Sequence, residues 1–115
     1  MARSRSPAER LADIASSISK VEKFLAGMTF AEFTADPLTH DAVVRNLEII
    51  SEASRHLGDL TEKAPEVPWR KVADMGNWLR HGYDIVNDHI LWDTIKDDLP
   101  ALARAIQRLS RPGGE

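Results

Sequence analysis

The spacing of apolar residues restricts the fold of this chain more than any other feature. Along two long segments the apolar positions recur at alternating steps of three and four residues, which places them on one face of an α-helix. Alternation of apolar and polar residues is missing, so the sequence predicts no strands. The two stripes run through Leu11, Ile14, Ile18, Val21 and Leu25, and through Val43, Leu47, Ile50, Ser54 and Leu57.

Prolines and capping residues divide the chain into helices with short connections. Ser6 before Pro7, with Glu9 three residues after the serine, is a typical helix start. Thr29 and Glu32 repeat the pattern ahead of a single helical turn. The further predicted boundaries are an end near Gly27, a second long helix from Thr39 or Asp41 to Gly58, a third from Trp69 to Gly82, a fourth from Asn87 or Asp88, and a last one over 100–109 that restarts or kinks at Asp97 or Asp98. These elements predict an all-α, antiparallel bundle of four to five helices.

Composition narrows the class of protein. The 115 residues fit one domain, 1–115, and the net charge is −3, which disfavours a plain DNA-binding helix-turn-helix protein. There is no cysteine, so disulfides, cysteine-ligated metals and thiol catalysis are excluded. No apolar stretch approaches the length of a membrane span, no signal peptide is recognisable, and a cytoplasmic location without membrane contact is expected. Trp69, Trp78 and Trp92 add apolar surface that favours a homo-oligomer.

Three segments carry a family pattern. Residues 42–53 read Ala-Val-Val-Arg-Asn-Leu-Glu-Ile-Ile-Ser-Glu-Ala, where one helical-bundle family commonly reads Ala-Val-x-Arg-x-Leu-x-Ile-Ile-Gly-Glu-Ala. Pro-Trp-Arg at 68–70 is followed by Met-Gly-Asn-Trp-Leu-Arg-His-Gly-Tyr at 75–83. Leu-Trp-Asp-Thr-Ile at 91–95 leads to Asp-Leu-Pro at 98–100. Taken together, over roughly residues 8–109, these segments resemble the HepT-like branch of the HEPN helical bundles.

The resemblance implies a homodimeric toxin that cleaves RNA without a metal or another cofactor, with a minimal nucleotidyltransferase as its antitoxin. The family motif is Arg, four to six residues, His, one residue, Tyr. It implies that His81 transfers protons and that Tyr83 accepts AMP from the antitoxin. The alternative for His81 is a histidine at a helix end, where the helix dipole favours it. The alternative for Tyr83 is a tyrosine at an interface. Arg45 and Glu52 lie seven residues apart and therefore on one helical face. They either form a network that supports the site or are a solvated charge pair.

The chain departs from the motif at its arginine. Gly76, followed by Asn77, stands where the family has Met-Arg-Asn or Met-Arg-Asp. Loss of that guanidinium is expected to cost on the order of 10²–10³ in rate, by analogy with an oxyanion donor. Arg80 shares a helical face with Gly76 and could replace it in part, although it starts one turn, ~6 Å, further along. The sequence thus predicts an impaired ribonuclease that Gly76→Arg would restore. The alternative is a non-catalytic helical module that binds the nucleotidyltransferase. Metal binding is not expected, since the acids near His81 match no metal motif.

Overall fold

The computed structural model describes residues 5–81 and 88–111, and all regular structure within these ranges is helical. This confirms the predicted all-α fold. No helix among these residues is long and apolar enough to cross a membrane. Two of these elements are not α-helices: a 3₁₀ helix (Gly58–Lys63) and a π-helical turn (Thr94–Asp98). The α-helices are α1 (Pro7–Leu25), α2 (Phe30–Thr34), α3 (Pro37–Ser54), α4 (Trp69–His81), α5 (Asp88–Asp93) and α6 (Leu99–Leu109).

The first two helix starts follow the sequence signals. At α1 the Ser6 hydroxyl accepts from the Glu9 amide at 3.2 Å, and the Glu9 carboxylate accepts from the Ser6 amide at 2.9 Å. Thr29 and Glu32 form the same reciprocal pair at α2. These bonds satisfy amide groups that the first helical turn leaves without partners. Gly27 follows α1 with φ +76°, a conformation that favours glycine just after a helix end.

One core joins the long helices. α3 lies at its centre, because it packs against both α1 and α4, while α6 packs against α1. The three tryptophans are only partly buried and pack against the outside of this core. The largest completely buried apolar side chains are Ile14, Val21, Phe33, Val43, Leu47, Ile50, Leu91, Leu102 and Ile106.

The predicted second long helix is wrong at both ends, since α3 ends at Ser54 and not at Gly58. α3 begins at Pro37, before Thr39 or Asp41, because Asp36 is its cap and accepts from the Thr39 amide at 3.1 Å. The predicted restart of a helix at Asp98 is absent, and the Asp98 side chain makes no capping hydrogen bond. Its carboxylate lies 2.6 Å from Lys71 Nζ on α4, and the chain passes from α5 through the π turn into α6 without a break.

Helix α4 ends before residues 82–87 and α5 begins after them, and α5 contacts two earlier helices. Its first residue, Asp88, lies 3.1 Å from His40 Nε2 on α3. His89 stacks on the ring of Phe30, with ring centroids 4.1 Å apart. These contacts attach α5 to α2 and α3.

Candidate functional site

The orientation of α4 decides which motif residues reach solvent. Val72, Met75 and Leu79 turn inward into the core, as their spacing of three and four residues requires. At the start of the helix the Trp69 indole donates to the Ala64 carbonyl at 2.8 Å, which fixes the entry of the chain. Asn77 and His81 lie four residues apart on the exposed side, and His81 is the last residue of α4. The proton-transfer candidate is therefore accessible. Tyr83 lies outside the described residues.

Gly76 is in close contact with Ser51 where α4 packs against α3. Its amide donates to Ser51 Oγ at 2.9 Å, and the same hydroxyl donates to the Ala73 carbonyl at 2.7 Å. A Cβ atom at position 76 would lie 2.8 Å from Ser51 Oγ, closer than real Cβ contacts allow, and 3.1 Å from Ser51 Cβ, which is tighter than most such contacts. The absence of a side chain at Gly76 is therefore part of the packing between these two helices. An arginine there requires Ser51 to move or to change.

Arg80 approaches the same point from one turn further along α4. Its Nη1 atom lies 3.3 Å from the position that a Cβ of residue 76 would occupy. Helical side chains lean toward the N-terminus, so the charge of Arg80 lies back over Gly76 although its Cα is one turn away. The Arg80 guanidinium therefore lies beside the base of the side chain that position 76 lacks, although the two Cα atoms are one helical turn, ~6 Å, apart.

A polar groove with a volume of about 230 Å³ extends from Arg80 across α3 to α1. It contains both supporting residues predicted from the sequence, Arg45 and Glu52, together with Arg10 from α1. No ion pair joins Arg45 to Glu52 in the described structure, because Glu52 Oε2 lies 2.8 Å from His56 Nε2 instead. The structure thus brings Arg45, Glu52 and Arg80 to one surface. His81 follows Arg80 directly in the chain.

The charge of Glu52 is fixed by its neighbours. The hydrogen bond with His56 lowers the pKa of the Glu52 carboxyl, and the positive charges of Arg55 and Arg10 lower that pKa further. The carboxylate is therefore ionised at neutral pH, and it offers the groove an acceptor and not a proton.

The described part of the chain contains no set of side chains suited to binding a metal ion. Among residues 5–81 and 88–111 there is no group of three or more histidine and acidic side chains that could hold a metal ion. Asp84, one of the acids near His81 in the sequence, lies outside these ranges.

Gly76→Ala is expected to change the free energy of unfolding, because its Cβ would contact Ser51 too closely. An overpacked core contact costs about 1–3 kcal/mol, which offsets the ~1 kcal/mol that alanine gains over glycine within a helix. In a Ser51→Gly background the obstruction is gone, so the same change should stabilise by about 1 kcal/mol. Urea unfolding of the four variants of this cycle measures the coupling. Equal effects of Gly76→Ala in both backgrounds would contradict the contact.

Sequence reasoning missed two residues of this region. Ser51 stands where the family pattern has glycine, and Gly76 stands where it has arginine, so the two departures could have been interpreted as one exchange across a helix contact. Arg10 gave a weaker signal. It precedes Leu11, the first residue of the apolar stripe of α1, and only the packing of α1 on α3 brings it into the groove.

Known proteins place the chain in a family. A family model described as "Ribonuclease HepT-like" matches residues 14–109. The chain is 40% identical to "Probable ribonuclease HepT" of Thermococcus cleftensis, over 93% of this chain and 98% of that protein. It is 36% identical to a protein of Methanocaldococcus jannaschii named "Putative RNase", over 84% of this chain and 90% of that protein. A protein of the same name from Caldanaerobacter subterraneus is 39% identical, over 72% of this chain and 75% of the relative. No solved structure matches. With a model match over most of its length and relatives of this similarity, the chain belongs to the HepT-like ribonuclease family.

Proposed function

We propose that this protein is a metal-independent endoribonuclease and the toxin of a HEPN–nucleotidyltransferase toxin–antitoxin system. Membership of the HepT-like ribonuclease family and the ribonuclease names of its relatives support RNA as the substrate. The observation that carries the proposal is the guanidinium of Arg80, which lies over Gly76 one residue before the exposed His81.

The reaction needs few groups. A base removes the proton from a ribose 2′-hydroxyl, the 2′-oxygen attacks the adjacent phosphorus, and the bond to the 5′-oxygen breaks. The products are a 2′,3′-cyclic phosphate and a 5′-hydroxyl, whose oxygen takes up a proton. His81 can act as base or as acid near neutral pH. The Arg80 guanidinium matches the phosphate oxygens and stabilises the charge of the phosphorane. In a homodimer two copies of His81 would fill both proton-transfer roles.

The position of the Arg80 charge bears on the impairment expected from the sequence. That expectation assumed a charge displaced by a helical turn, whereas Nη1 of Arg80 lies 3.3 Å from the start of the missing side chain. We therefore assign to Arg80 the role of the motif arginine. Cleavage within about tenfold of an arginine-containing relative supports this assignment, and a loss of 10²–10³ supports the impaired enzyme instead.

The partners we propose are a second copy of this chain and an antitoxin. Phe24, Leu38 and Ile90 are large apolar side chains with more than a third of their surface exposed, which supports a homodimer. The antitoxin partner is a minimal nucleotidyltransferase, and Tyr83, two residues after His81, is its AMP acceptor. AMP on that tyrosine would place a negative phosphate beside the site and repel RNA.

A ribonuclease assay in excess EDTA tests the proposed function. The purified chain is expected to cleave single-stranded RNA at an unchanged rate after chelation, since proton transfer and charge stabilisation come from side chains. The cleaved ends should carry 2′,3′-cyclic phosphate. Activity that disappears with EDTA and returns with a divalent cation would contradict the proposal.

The homodimer has a direct measurement. Light scattering at micromolar concentration is expected to give about twice 12.8 kDa. A monomer across the concentration range would remove the composite site with two histidines.

A second candidate is the non-catalytic module that binds the nucleotidyltransferase. The close Ser51–Gly76 contact favours it, because this contact leaves no space for the motif arginine at its usual position. Absence of RNA cleavage by a folded dimer that still binds the nucleotidyltransferase would establish this alternative.

A further inference from the structure

We propose that the groove formed by Arg10, Arg45 and Arg80 binds the phosphodiester backbone of the RNA substrate. The inference rests on the proposed ribonuclease function and adds binding residues on α1 and α3, away from the catalytic motif. The three arginines come from three different helices and line one groove. A single strand of RNA crossing from α1 over α3 to α4 would meet them in turn.

The guanidinium groups of the three arginines are available to a ligand. In the described structure none of these three side chains forms an ion pair within 4.0 Å or donates a hydrogen bond to another residue. Each carries five N–H donors in a rigid fork suited to pairs of phosphate oxygens. Three unused forks facing one groove provide donors for a ligand rich in acceptors.

Arg10 supplies the strongest single observation. Its Nε atom is buried and has no hydrogen-bond partner among the described residues. A buried N–H group without an acceptor costs about 1–3 kcal/mol. Surface arginines avoid this cost by remaining in solvent, so a ligand oxygen at the inner end of the groove explains why the donor is held there.

The acidic residues of the groove define the kind of anion. Asp13 accepts from Arg5 at 2.7 Å, and Glu52 is paired with His56. Glu48 is the third carboxylate along the groove. Three carboxylates among three arginines disfavour a dense charge such as a nucleoside triphosphate. A phosphodiester strand carries one charge per nucleotide, so it can place single phosphates at the guanidiniums between the carboxylates.

The test measures binding separately from cleavage. The probe is a fluorescein-labelled 12-nucleotide RNA with 2′-O-methyl groups, which lacks the attacking hydroxyl and therefore cannot be cut. Arg10→Met and Arg45→Met are expected to weaken binding about tenfold each. The slope of log affinity against log salt should fall by about 0.7 for each lost phosphate contact. Arg10→Lys, which keeps the charge but not the fork, should bind between the wild type and Arg10→Met.

Arg104→Met is the matched control, because Arg104 is exposed on α6 and lies outside the groove. It should leave affinity and salt slope unchanged. Arg45 is exposed, so its variant separates lost binding from any packing defect at the partly buried Arg10. Thermal unfolding of each variant confirms that it is folded.

The outcomes are distinct. Equal RNA binding by the Arg10, Arg45 and Arg104 variants overturns the groove even if the chain cleaves RNA normally. Binding of a 12-residue polyglutamate peptide in place of the RNA, with the same arginine dependence, also overturns it and indicates an acidic protein partner. Arginine-dependent RNA binding by a chain that never cleaves RNA supports the groove while the proposed catalytic function fails.

Discussion

His81→Ala is expected to reduce RNA cleavage by about 10²–10⁴, because it removes the proton-transfer group while leaving the fold intact. His81 is exposed at the end of α4, so its side chain contributes little to the core. His81→Gln should be equally inactive, since glutamine can donate and accept hydrogen bonds but does not exchange protons near neutral pH. Single-turnover cleavage of a labelled RNA, with protein in excess, measures the chemical step directly.

The control for this substitution is His89→Ala. His89 is also an exposed histidine, but it lies on α5 and stacks on Phe30. This variant should cleave within about twofold of the wild type, and both variants should retain the oligomeric state. Full activity of His81→Ala in a folded protein would contradict the assignment of His81 and show that another residue transfers the protons.

Local signals are the part of this fold that the sequence could predict. The Ser6–Glu9 and Thr29–Glu32 pairs involve residues three apart, so their hydrogen bonds depend only on the neighbouring backbone. The apolar stripes likewise belong to single helices, and their inward faces follow from helical periodicity. The missed start of α3 is also local. Asp36 before Pro37 repeats the arrangement of Ser6 before Pro7.

The details of the site depend on contacts between helices, which a pattern within one helix does not contain. Ser51 and Gly76 are 25 residues apart, and only the packing of α3 on α4 brings the hydroxyl to the glycine amide. The same packing leaves the space into which the Arg80 side chain leans. Counting back from His81 shows that the motif arginine is absent from position 76. Such a count gives the position of a Cα atom along the chain and not the position of a guanidinium. The groove needs a third helix as well, since Arg10 comes from α1.

Arg80→Ala is expected to lower cleavage by about 10²–10³, the cost of losing a group that stabilises transition-state charge. Arg80→Lys should recover only part of the rate, because an ammonium does not reproduce the bidentate fork. The control is Arg70→Ala on the same helix, whose side chain is 97% exposed and only loosely paired with Asp74 at 4.0 Å. It should retain full activity. An unchanged rate for Arg80→Ala would show that the charge comes from another residue.

Returning the guanidinium to position 76 completes this test. Gly76→Arg alone should destabilise the protein and fail to raise cleavage, since its Cβ would lie 2.8 Å from Ser51 Oγ. Combined with Ser51→Gly, which removes that hydroxyl, Gly76→Arg should restore activity to the Arg80→Ala variant, because one fixed guanidinium near this point is what the reaction requires. Urea unfolding and single-turnover cleavage of the single, double and triple variants separate folding from catalysis. If Gly76→Arg alone raised cleavage with no loss of stability, then Ser51 would not control this position and the chain would be an enzyme impaired by its glycine. Rescue that appears only with Ser51→Gly would instead link Ser51, Gly76 and Arg80 in one exchange, in which the arginine stands one helical turn later in the sequence while its guanidinium lies beside Gly76.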